Sequence, residues 1–159
     1  MKIKYESQTA LLSADRKYRY ILWRWWSRKP FAMFIGLNPS TADERNDDPT
    51  IRRCIGFASN WGYGGLCMTN LFALRATDPK EMMKHPMPIG SENDSWLLEL
   101  SQEAGIVIAA WGTRGDYQHR NKAVCNMIDN LKCLGLTKAG HPKHPLYLSK
   151  DVRPMSFGE

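Results

Sequence analysis

Residues 31–37 of the chain read FAMFIGL, and the polar sequence NPST follows directly at positions 38–41. An unbroken apolar run of this length is typical of a strand that is buried on both faces of a parallel sheet. Two more runs have the same character, GLCMTNLF at 65–72 and GIVIAAW at 105–111. A shorter fourth strand is predicted at 132–137. Together these segments predict a central sheet of four strands.

Helical segments separate the predicted strands. Apolar residues recur at helical spacing in 50–61, 91–103 and 120–131. Strands that alternate with helices indicate βαβ units, whose right-handed crossovers cover both faces of the sheet. The sequence therefore predicts one α/β domain over 1–159, a three-layer α/β/α sandwich around a four-stranded, mainly parallel sheet. The aromatic segment 16–26 is predicted as an additional N-terminal edge strand.

The composition is that of a globular domain. Hydrophobic residues make up 43% of the chain and charged residues 24%, which excludes a disordered, collagen-like or coiled-coil protein. No stretch of about 18 apolar residues is present, so neither a transmembrane helix nor a membrane partner is predicted. The N-terminal sequence lacks the apolar core of a signal peptide, and a cytoplasmic location is expected. The cysteines form no CxxC motif, so we expect reduced thiols.

The net charge of +6 is concentrated at one end of the chain. Residues 1–30 contain eight basic and two acidic side chains, whereas the rest of the chain is neutral. Tyrosines and tryptophans are interleaved with these arginines, and the combination suits contacts with phosphates and stacked bases. We therefore predict that Arg19, Arg24 and Arg28 contact the phosphates of DNA or of a nucleotide. The alternative is a twisted strand with its aromatic side chains in the core and its arginines in water.

Polar, small and turn-forming residues follow the predicted strands. Because the carboxyl ends of parallel strands meet at one edge of the sheet, ligands bind there. The candidate site residues at this edge are Gly36, Asn38, Pro39, Ser40, Asn70, Trp111, Gly112, His141 and His144. A glycine permits close approach of a ligand, an asparagine amide binds a base edge or orients water, and a tryptophan stacks on a planar group. A histidine acts as an electrophile or general acid near neutral pH.

Each of these features also has a structural interpretation. A polar turn simply ends a strand, Trp111 is equally suited to the core, and histidines are common at the surface. Capping of the next helix by Asp48 or Thr50 is favoured over a role of the Asp47-Asp48 pair as a general base. The acidic loop around that pair has no recognisable ligand spacing, so neither a metal nor a cofactor is predicted.

Long motifs in the chain resemble those of an uncharacterised family from bacteria and phages, domain of unknown function 1643. The motifs are YRYILWRWW (18–26), GLNPSTAD (36–43), DDPTIRRCIGFASNWGYGGL (47–66), NLFALRATDP (70–79), AAWG (109–112) and HPKHPLYL (141–148). The resemblance covers nearly the whole chain from residue 18 onward. The family has no assigned activity, so this resemblance implies no function.

A more distant resemblance does imply one. GLNPS is similar to the first motif of the uracil-DNA glycosylase superfamily, above all its mismatch-specific branch, in which the asparagine orients the attacking water. This resemblance implies that Asn38 orients water and that Asn70 reads the base edge. HPKHPLYL looks like the second motif, which meets the glycosidic bond, so that His141 or His144 stabilises the leaving base. The fold it implies is again the α/β/α sandwich.

Two features depart from the superfamily pattern. The acidic residue that activates water in its best-known branch is replaced by Asn38, and Leu146 and Tyr147 follow Pro145 where that motif has a Ser-Pro pair. The leading hypothesis is an enzyme that hydrolyses an N-glycosidic bond in DNA or a nucleotide. The alternatives are a non-catalytic nucleic-acid or nucleotide-binding module on the same fold, and a small-molecule enzyme whose basic N-terminus is purely structural.

Overall fold

The structure is a computed structural model that describes residues 3–157. Within that range it contains seven strands and four α-helices. The strands are β1 (Ser7–Leu12), β2 (Arg19–Trp25), β3 (Phe31–Gly36), β4 (Gly65–Asn70), β5 (Ile106–Ala109), β6 (Lys132–Cys133) and β7 (Met155–Ser156). The helices are α1 (Pro49–Asn60), α2 (Pro79–Lys84), α3 (Asn93–Glu103) and α4 (Arg120–Met127).

The seven strands form one sheet in the order β1-β2-β4-β3-β5-β6-β7. β3 pairs in parallel with β4 and with β5, and β5 pairs in parallel with β6. The other three pairs are antiparallel. Gly36 lies opposite Asn70, and Ile35 lies opposite Ala109. The carboxyl ends of β3, β4 and β5 therefore meet at one edge of the sheet.

The mixed α/β class is confirmed, but the sheet differs from the predicted one. It has seven strands in place of four plus an edge strand, and three of its six strand pairs are antiparallel. The predicted edge strand is β2, which lies inside the sheet between β1 and β4. The sequence does not predict β1, because its side chains are mostly exposed and form no apolar run. β7 has two exposed residues and gives no pattern either.

Helix α2 occupies a segment whose prolines suggest a loop. Pro79 is its first residue, and the Asp78 side chain accepts a hydrogen bond from the backbone N–H of Lys80 at 2.9 Å. Proline is favourable at a first helical position, because the N–H that it lacks has no partner there in any helix. Helix α1 starts in the same way, with Asp48 as the N-cap and Pro49 next. Asp-Pro pairs therefore mark two helix starts in this chain.

Helices cover both faces of the sheet. Alternate side chains of β3 enter two separate buried clusters, with Phe31, Met33 and Ile35 in one and Ala32 and Phe34 in the other. Helix α1 packs into the cluster of Phe34, and α2, α3 and α4 contribute to the opposite cluster. None of the helices in the described range has the length and apolar character needed to cross a membrane.

The arginines of β2 point into the protein. Arg24 is fully buried; its Nε donates to Oδ1 of Asp47 at 2.8 Å, and its other nitrogens donate to backbone carbonyls. Arg19 is 2% exposed. The phosphate contact predicted for Arg24 is therefore wrong, because Asp47 and backbone carbonyls occupy its guanidinium. The alternative that places these arginines in water is wrong for both of them. The phosphate contact of Arg19 stays a prediction. Arg28 is exposed, and its phosphate contact stays a prediction.

The tryptophans of β2 are part of the interior packing. Trp23 and Trp25 stack with ring centroids 5.4 Å apart, and both rings meet Phe31 edge-on. All three lie in or against the cluster that α2, α3 and α4 cover. These half-buried tryptophans therefore take part in the packing of the core and stack on each other, and the structure shows no separate stacking site formed by them in the described residues.

Candidate functional site

A cavity of about 460 Å³ lies at the carboxyl edge of the sheet, between the ends of β3 and β4 and the N-terminus of α1. Cavities of this size are typical of small-molecule sites. It is lined by seven of the nine residues predicted at this edge, namely Gly36, Asn38, Pro39, Ser40, Asn70, Trp111 and His144. Arg19 also lines it, from the neighbouring strand β2.

The other two predicted residues, Gly112 and His141, do not line the cavity. The backbone N–H of Gly112 donates to the carbonyl of Pro142 at 3.0 Å, and a Cβ at this position would lie 3.9 Å from the Cβ of His144. This hydrogen bond connects the segment that contains His141 and His144 to the end of β5. His141 is half-buried, and its backbone N–H donates to the hydroxyl of Thr137 at 3.1 Å.

Trp111 forms part of the cavity wall but belongs mainly to the core. It is 2% exposed, and its ring meets Phe157 edge-on with centroids 5.7 Å apart. Gly115 lies so close that a Cβ there would come within 2.6 Å of the indole Nε1. Almost no ring surface is therefore open to a planar ligand, and the predicted stacking role is not supported.

Asn70 lies directly over the backbone of Gly36. A Cβ at Gly36 would be 2.8 Å from Oδ1 of Asn70 and 2.9 Å from Cε of Met68. Only glycine leaves room for this arrangement. The Asn70 side chain is 2% exposed, and its Nδ2 has no hydrogen-bond acceptor among the described residues. Buried polar groups are nearly always hydrogen-bonded, so this donor is an exception at the wall of the cavity.

Two buried side chains behind the cavity hold the backbone of Asn70. Nδ2 of Asn93 donates to the carbonyls of Asn70 and Leu71 at 2.9 and 3.1 Å, and Nε of Arg120 donates to the Leu71 carbonyl at 2.8 Å. Arg120 is itself paired with Asp94. The sequence gives no sign of this network, because Asn93 and Asp94 look like ordinary helix-start residues and Arg120 like a surface residue.

Asn38 connects the turn after β3 to the loop before α2. Its Nδ2 donates to the carbonyl of Ala76 at 2.8 Å and to that of Pro39 at 3.1 Å. The N–H of Ala76 donates back to the Pro39 carbonyl at 2.9 Å. The amide nitrogen is therefore occupied by the fold, and the oxygen Oδ1 is the atom of Asn38 left to orient a water.

His144 stands at the mouth of the cavity with its tautomer defined. Its Nδ1 accepts a hydrogen bond from the backbone N–H of Leu146 at 3.1 Å, so the neutral ring carries its proton on Nε2. Partial desolvation lowers the pKa of His144, and the nearby Asp48 carboxylate opposes this shift. Near pH 7 the ring is therefore a neutral Nε2–H donor.

Asp48 brings a carboxylate to the cavity. Its Oδ1 caps α1 by accepting from the N–H of Ile51 at 2.9 Å, which confirms the favoured capping interpretation. The same side chain lines the cavity, and its charge acts on both Arg19 and His144. This second location is the one that the less favoured interpretation of the Asp47-Asp48 pair, a general base, would require of Asp48.

Arg19 is a buried cation in the cavity wall. Its Nη1 donates to the carbonyl of Ala42 at 3.0 Å, while its Nε has no acceptor among the described residues. In the same range no carboxylate lies within 4 Å of the guanidinium. Burial lowers the pKa of Arg19 to about 10, so the group remains charged at neutral pH.

The cavity brings together side-chain hydrogen-bond donors and acceptors. Across residues 3–157 no group of three or more His, Cys, Asp or Glu side chains is arranged to hold a metal ion. The side chains that carry chemistry at the cavity are two asparagines, one histidine, one aspartate and one arginine: Asn38, Asn70, His144, Asp48 and Arg19.

The sequence model of one protein family, described as protein of unknown function (DUF1643), matches residues 19–146. The chain belongs to the DUF1643 family. The resemblance to domain of unknown function 1643 is thereby confirmed. No curated protein and no solved structure matches this DUF1643 chain significantly, so no comparison connects it to the uracil-DNA glycosylase superfamily.

The DUF1643 match coincides with the part of the chain that builds the cavity. It begins at Arg19 and ends at Leu146, and both of these residues line the cavity. Strands β1 and β7, which form the two edges of the sheet, lie outside it. The segment that defines the family thus contains the complete cavity lining.

Proposed function

We propose that this DUF1643 chain binds a nucleobase in the cavity and hydrolyses the N-glycosidic bond between that base and its sugar, in DNA or in a nucleotide, in the cytoplasm. The observation that best supports this function is the meeting of Asn38, Asn70 and His144 in one cavity. These are the side chains to which the resemblance to the uracil-DNA glycosylase superfamily assigns water orientation, base recognition and stabilisation of the leaving base.

The inner part of the sheet supports the same proposal. β4, β3, β5 and β6 are neighbours that pair in parallel, and helices cover both of their faces. This arrangement is consistent with the three-layer α/β/α sandwich that the resemblance implies. Antiparallel strands then extend that inner part at both ends, with β2 and β1 on one side and β7 on the other.

Base recognition is assigned to Asn70. A carboxamide offers one acceptor and two donor hydrogens in a plane, which matches the edge of a nucleobase. Its Nδ2 lacks an acceptor, and the bonds from Asn93 and Arg120 fix the backbone that carries it. A base that supplied an acceptor to Nδ2 would satisfy this buried donor.

The proposed reaction uses water as the nucleophile. The water oxygen bonds to C1′ of the sugar, the bond between C1′ and the base nitrogen breaks, and the base leaves with the electron pair. Oδ1 of Asn38 orients the water, and the Asp48 carboxylate accepts its proton. Nε2–H of His144 donates a hydrogen bond to the departing base and stabilises its developing negative charge. The base anion then takes up the proton held by Asp48, which restores the carboxylate, and the products are the free base and a sugar with a hydroxyl at C1′.

A screen for released base tests this function directly. The purified chain is incubated with oligonucleotides that carry modified or mismatched bases and with deoxynucleoside 5′-monophosphates, and free base and abasic sites are measured. We expect release from at least one of these substrates. Absence of release from all of them would contradict the hydrolase.

One observation favours a second function, a binding module without catalysis. The amide nitrogen of Asn38 is occupied by two backbone carbonyls, as expected for a residue that only shapes the turn. In that case nucleotides bind in a manner that depends on Asn70, but no base is released. Calorimetric binding of the same substrates, measured beside the release assay, separates the two functions.

Replacing Gly36 with alanine should displace Asn70 and weaken binding. The new Cβ would lie 2.8 Å from Oδ1 of Asn70, whose backbone is held from behind and cannot yield easily. We expect a loss of about 10-fold or more in affinity for the best nucleotide of the screen, equivalent to one hydrogen bond. Overpacking should also lower the free energy of unfolding by about 1–3 kcal/mol.

Gly56→Ala is the matched control, because a Cβ at this position of α1 meets nothing within 4 Å. Its affinity should equal that of the parent, and its stability should be equal or slightly higher, because alanine is the better helix residue. Binding by Gly36→Ala that equals the control would remove Asn70 from the base site.

Basic side chains that do face solvent lie beside the cavity. A second groove contains Lys17 and Arg75 and shares the wall of Ser40, Thr41, Ala76 and Thr77 with the cavity. If the substrate is a nucleic-acid strand, this groove is where its backbone would continue. The buried Arg24 is excluded from that role.

For a strand substrate, Lys17→Ala and Arg75→Ala should each flatten the salt dependence of DNA binding. The expected change in log–log slope is about 0.9 per duplex contact or about 0.7 per single-strand contact. Arg28→Ala tests the remaining predicted contact, and Lys122→Ala, exposed on α4, serves as the control. Equal slopes for the groove variants and the control would exclude this path for a strand.

A further inference from the structure

Three arginines among the described residues are buried, and they differ in whether a carboxylate pairs with the guanidinium. Arg24 is paired with Asp47, and Arg120 is paired with Asp94. Arg19 is buried to the same degree, but within residues 3–157 it has no carboxylate within 4 Å and its Nε has no acceptor. Arg19 is also the one among these three that lines the cavity. The fold therefore supplies an anion to two buried guanidinium groups and leaves the third without one.

An isolated buried charge is strongly destabilising unless a counter-charge and hydrogen bonds compensate it. The carbonyl of Ala42 satisfies one nitrogen of Arg19 at 3.0 Å but contributes no negative charge. The Asp48 carboxylate acts on Arg19 through its charge, but it forms neither an ion pair nor a hydrogen bond with the guanidinium among the described residues. Among the described residues Arg19 thus has one carbonyl acceptor and no ion pair, which is the arrangement expected of a site for an external anion.

A second unsatisfied donor lies at the same cavity. Nδ2 of Asn70 is buried and has no acceptor among the described residues, like Nε of Arg19. Nε1 of Trp111 also lacks an acceptor, but it lies against Gly115 and contributes nothing here. Two donors at one cavity, one charged and one neutral, call for a ligand with an anionic group and a neutral acceptor.

We propose that Arg19 binds a phosphate group of the ligand, and that the chain recognises a nucleoside monophosphate unit through Arg19 and Asn70 together. This inference rests on the proposed function, which makes the neutral acceptor a nucleobase and the anion a phosphate. The planar guanidinium matches phosphate oxygens in geometry and charge. The phosphate belongs either to a free mononucleotide or to a nucleotide of a single strand that enters the cavity.

The test compares ligands that differ only in phosphate. Isothermal calorimetry is used to measure binding of deoxynucleoside 5′-monophosphates, the corresponding deoxynucleosides, inorganic phosphate and short single strands. For the parent chain we expect the monophosphate to bind about 10-fold to 100-fold more tightly than its nucleoside, as one charge-assisted contact provides. Tight binding of monophosphates assigns the site to free nucleotides, and tight binding of strands alone assigns it to a strand phosphate.

Arg19→Met removes the charge and keeps the length of the side chain. We expect the preference for the phosphorylated ligand to disappear in this variant. We also expect its melting temperature without ligand to equal or exceed that of the parent, because the uncompensated charge is gone. A group with a purely structural role would behave in the opposite way, with lower stability and unchanged preference for phosphate.

Arg19→Lys keeps the charge but not the planar fork, and it provides the test if the methionine variant fails to fold. We expect it to retain part of the phosphate preference. Equal affinity of the parent for nucleoside and monophosphate would overturn the inference, as would a full phosphate preference in either Arg19 variant. If phosphate binding depends on Arg19 while the base-release screen is negative, the phosphate site stands and the hydrolase fails.

Discussion

Replacing His144 with alanine is expected to lower the rate of base release by about 100-fold or more. The imidazole holds its Nε2–H ready for the departing base, because Nδ1 is engaged by the N–H of Leu146. Alanine removes this donor, and the negative charge on the base then develops without stabilisation. Because His144 stands at the rim of the cavity, its replacement should leave the melting temperature nearly unchanged. Single-turnover base release and thermal melting measure the two effects.

The pH profile gives an independent signature of His144. Its pKa is lowered below the ordinary histidine value by partial desolvation, so the ring stays neutral to a lower pH than a surface histidine. Protonation of Nδ1 would place two donors, Nδ1–H and the N–H of Leu146, against each other and would displace the ring. The rate of the parent should therefore decrease at acid pH, but only at pH values below the ordinary histidine range. The alanine variant should not show this decrease.

His141→Ala is the matched control, since His141 belongs to the same HPKHP sequence but does not line the cavity. Its rate of base release should equal that of the parent. Equal rates for both histidine variants would contradict the catalytic role of His144. Asn38→Ala should also slow release, but it loses two hydrogen bonds to backbone carbonyls and should lower the free energy of unfolding by about 1–2 kcal/mol.

Replacing Asp47 with alanine is expected to lower the free energy of unfolding by about 3–5 kcal/mol. The change leaves the fully buried Arg24 without its carboxylate. It also removes the acceptor of the Tyr5 hydroxyl, which donates to Oδ2 of Asp47 at 2.6 Å. Burial, followed by this contact with Asp47, raises the pKa of Tyr5 to about 12. Urea unfolding of parent and variant measures the loss.

Glu44→Ala is the control for this experiment, because it breaks the exposed ion pair of Arg16 and Glu44. Exposed pairs contribute at most about 1 kcal/mol, so this variant should be close to the parent. The double variant Arg24→Met with Asp47→Leu should recover most of the lost stability, because no buried charge remains. A loss for Asp47→Ala as small as that of the control would mean that Arg24 is not held by this pair.

The sequence predicts the centre of the sheet and the edge where the cavity lies. Continuous apolar runs identify β3, β4 and β5 because these strands are buried on both faces, and parallel pairing brings Gly36, Asn70 and Trp111 to one edge. β1 is not predictable in this way. It is held by backbone pairing with β2, and its exposed side chains leave no apolar pattern.

The burial and the hydrogen-bond partners of individual polar side chains depend on residues that are distant in sequence. Arg24 is buried because Asp47, 23 residues away, meets it. Asn93 and Arg120 hold Asn70 and Leu71 from other parts of the chain. His141 and His144 both precede a proline, so the sequence does not show which of them reaches the cavity. The path of the loop places only His144 in the cavity lining. A local pattern contains none of this information.

The two contacts of Asp48 connect the cavity to the first turn of α1. Its carboxylate caps the helix through the amide of Ile51 and also faces any ligand in the cavity. A ligand that draws this carboxylate toward itself is expected to weaken its bond to the Ile51 amide, whereas a ligand that leaves the carboxylate in place preserves the cap. Hydrogen exchange at this one amide is therefore a built-in reporter of occupancy, which a labelling experiment can follow without knowledge of the ligand.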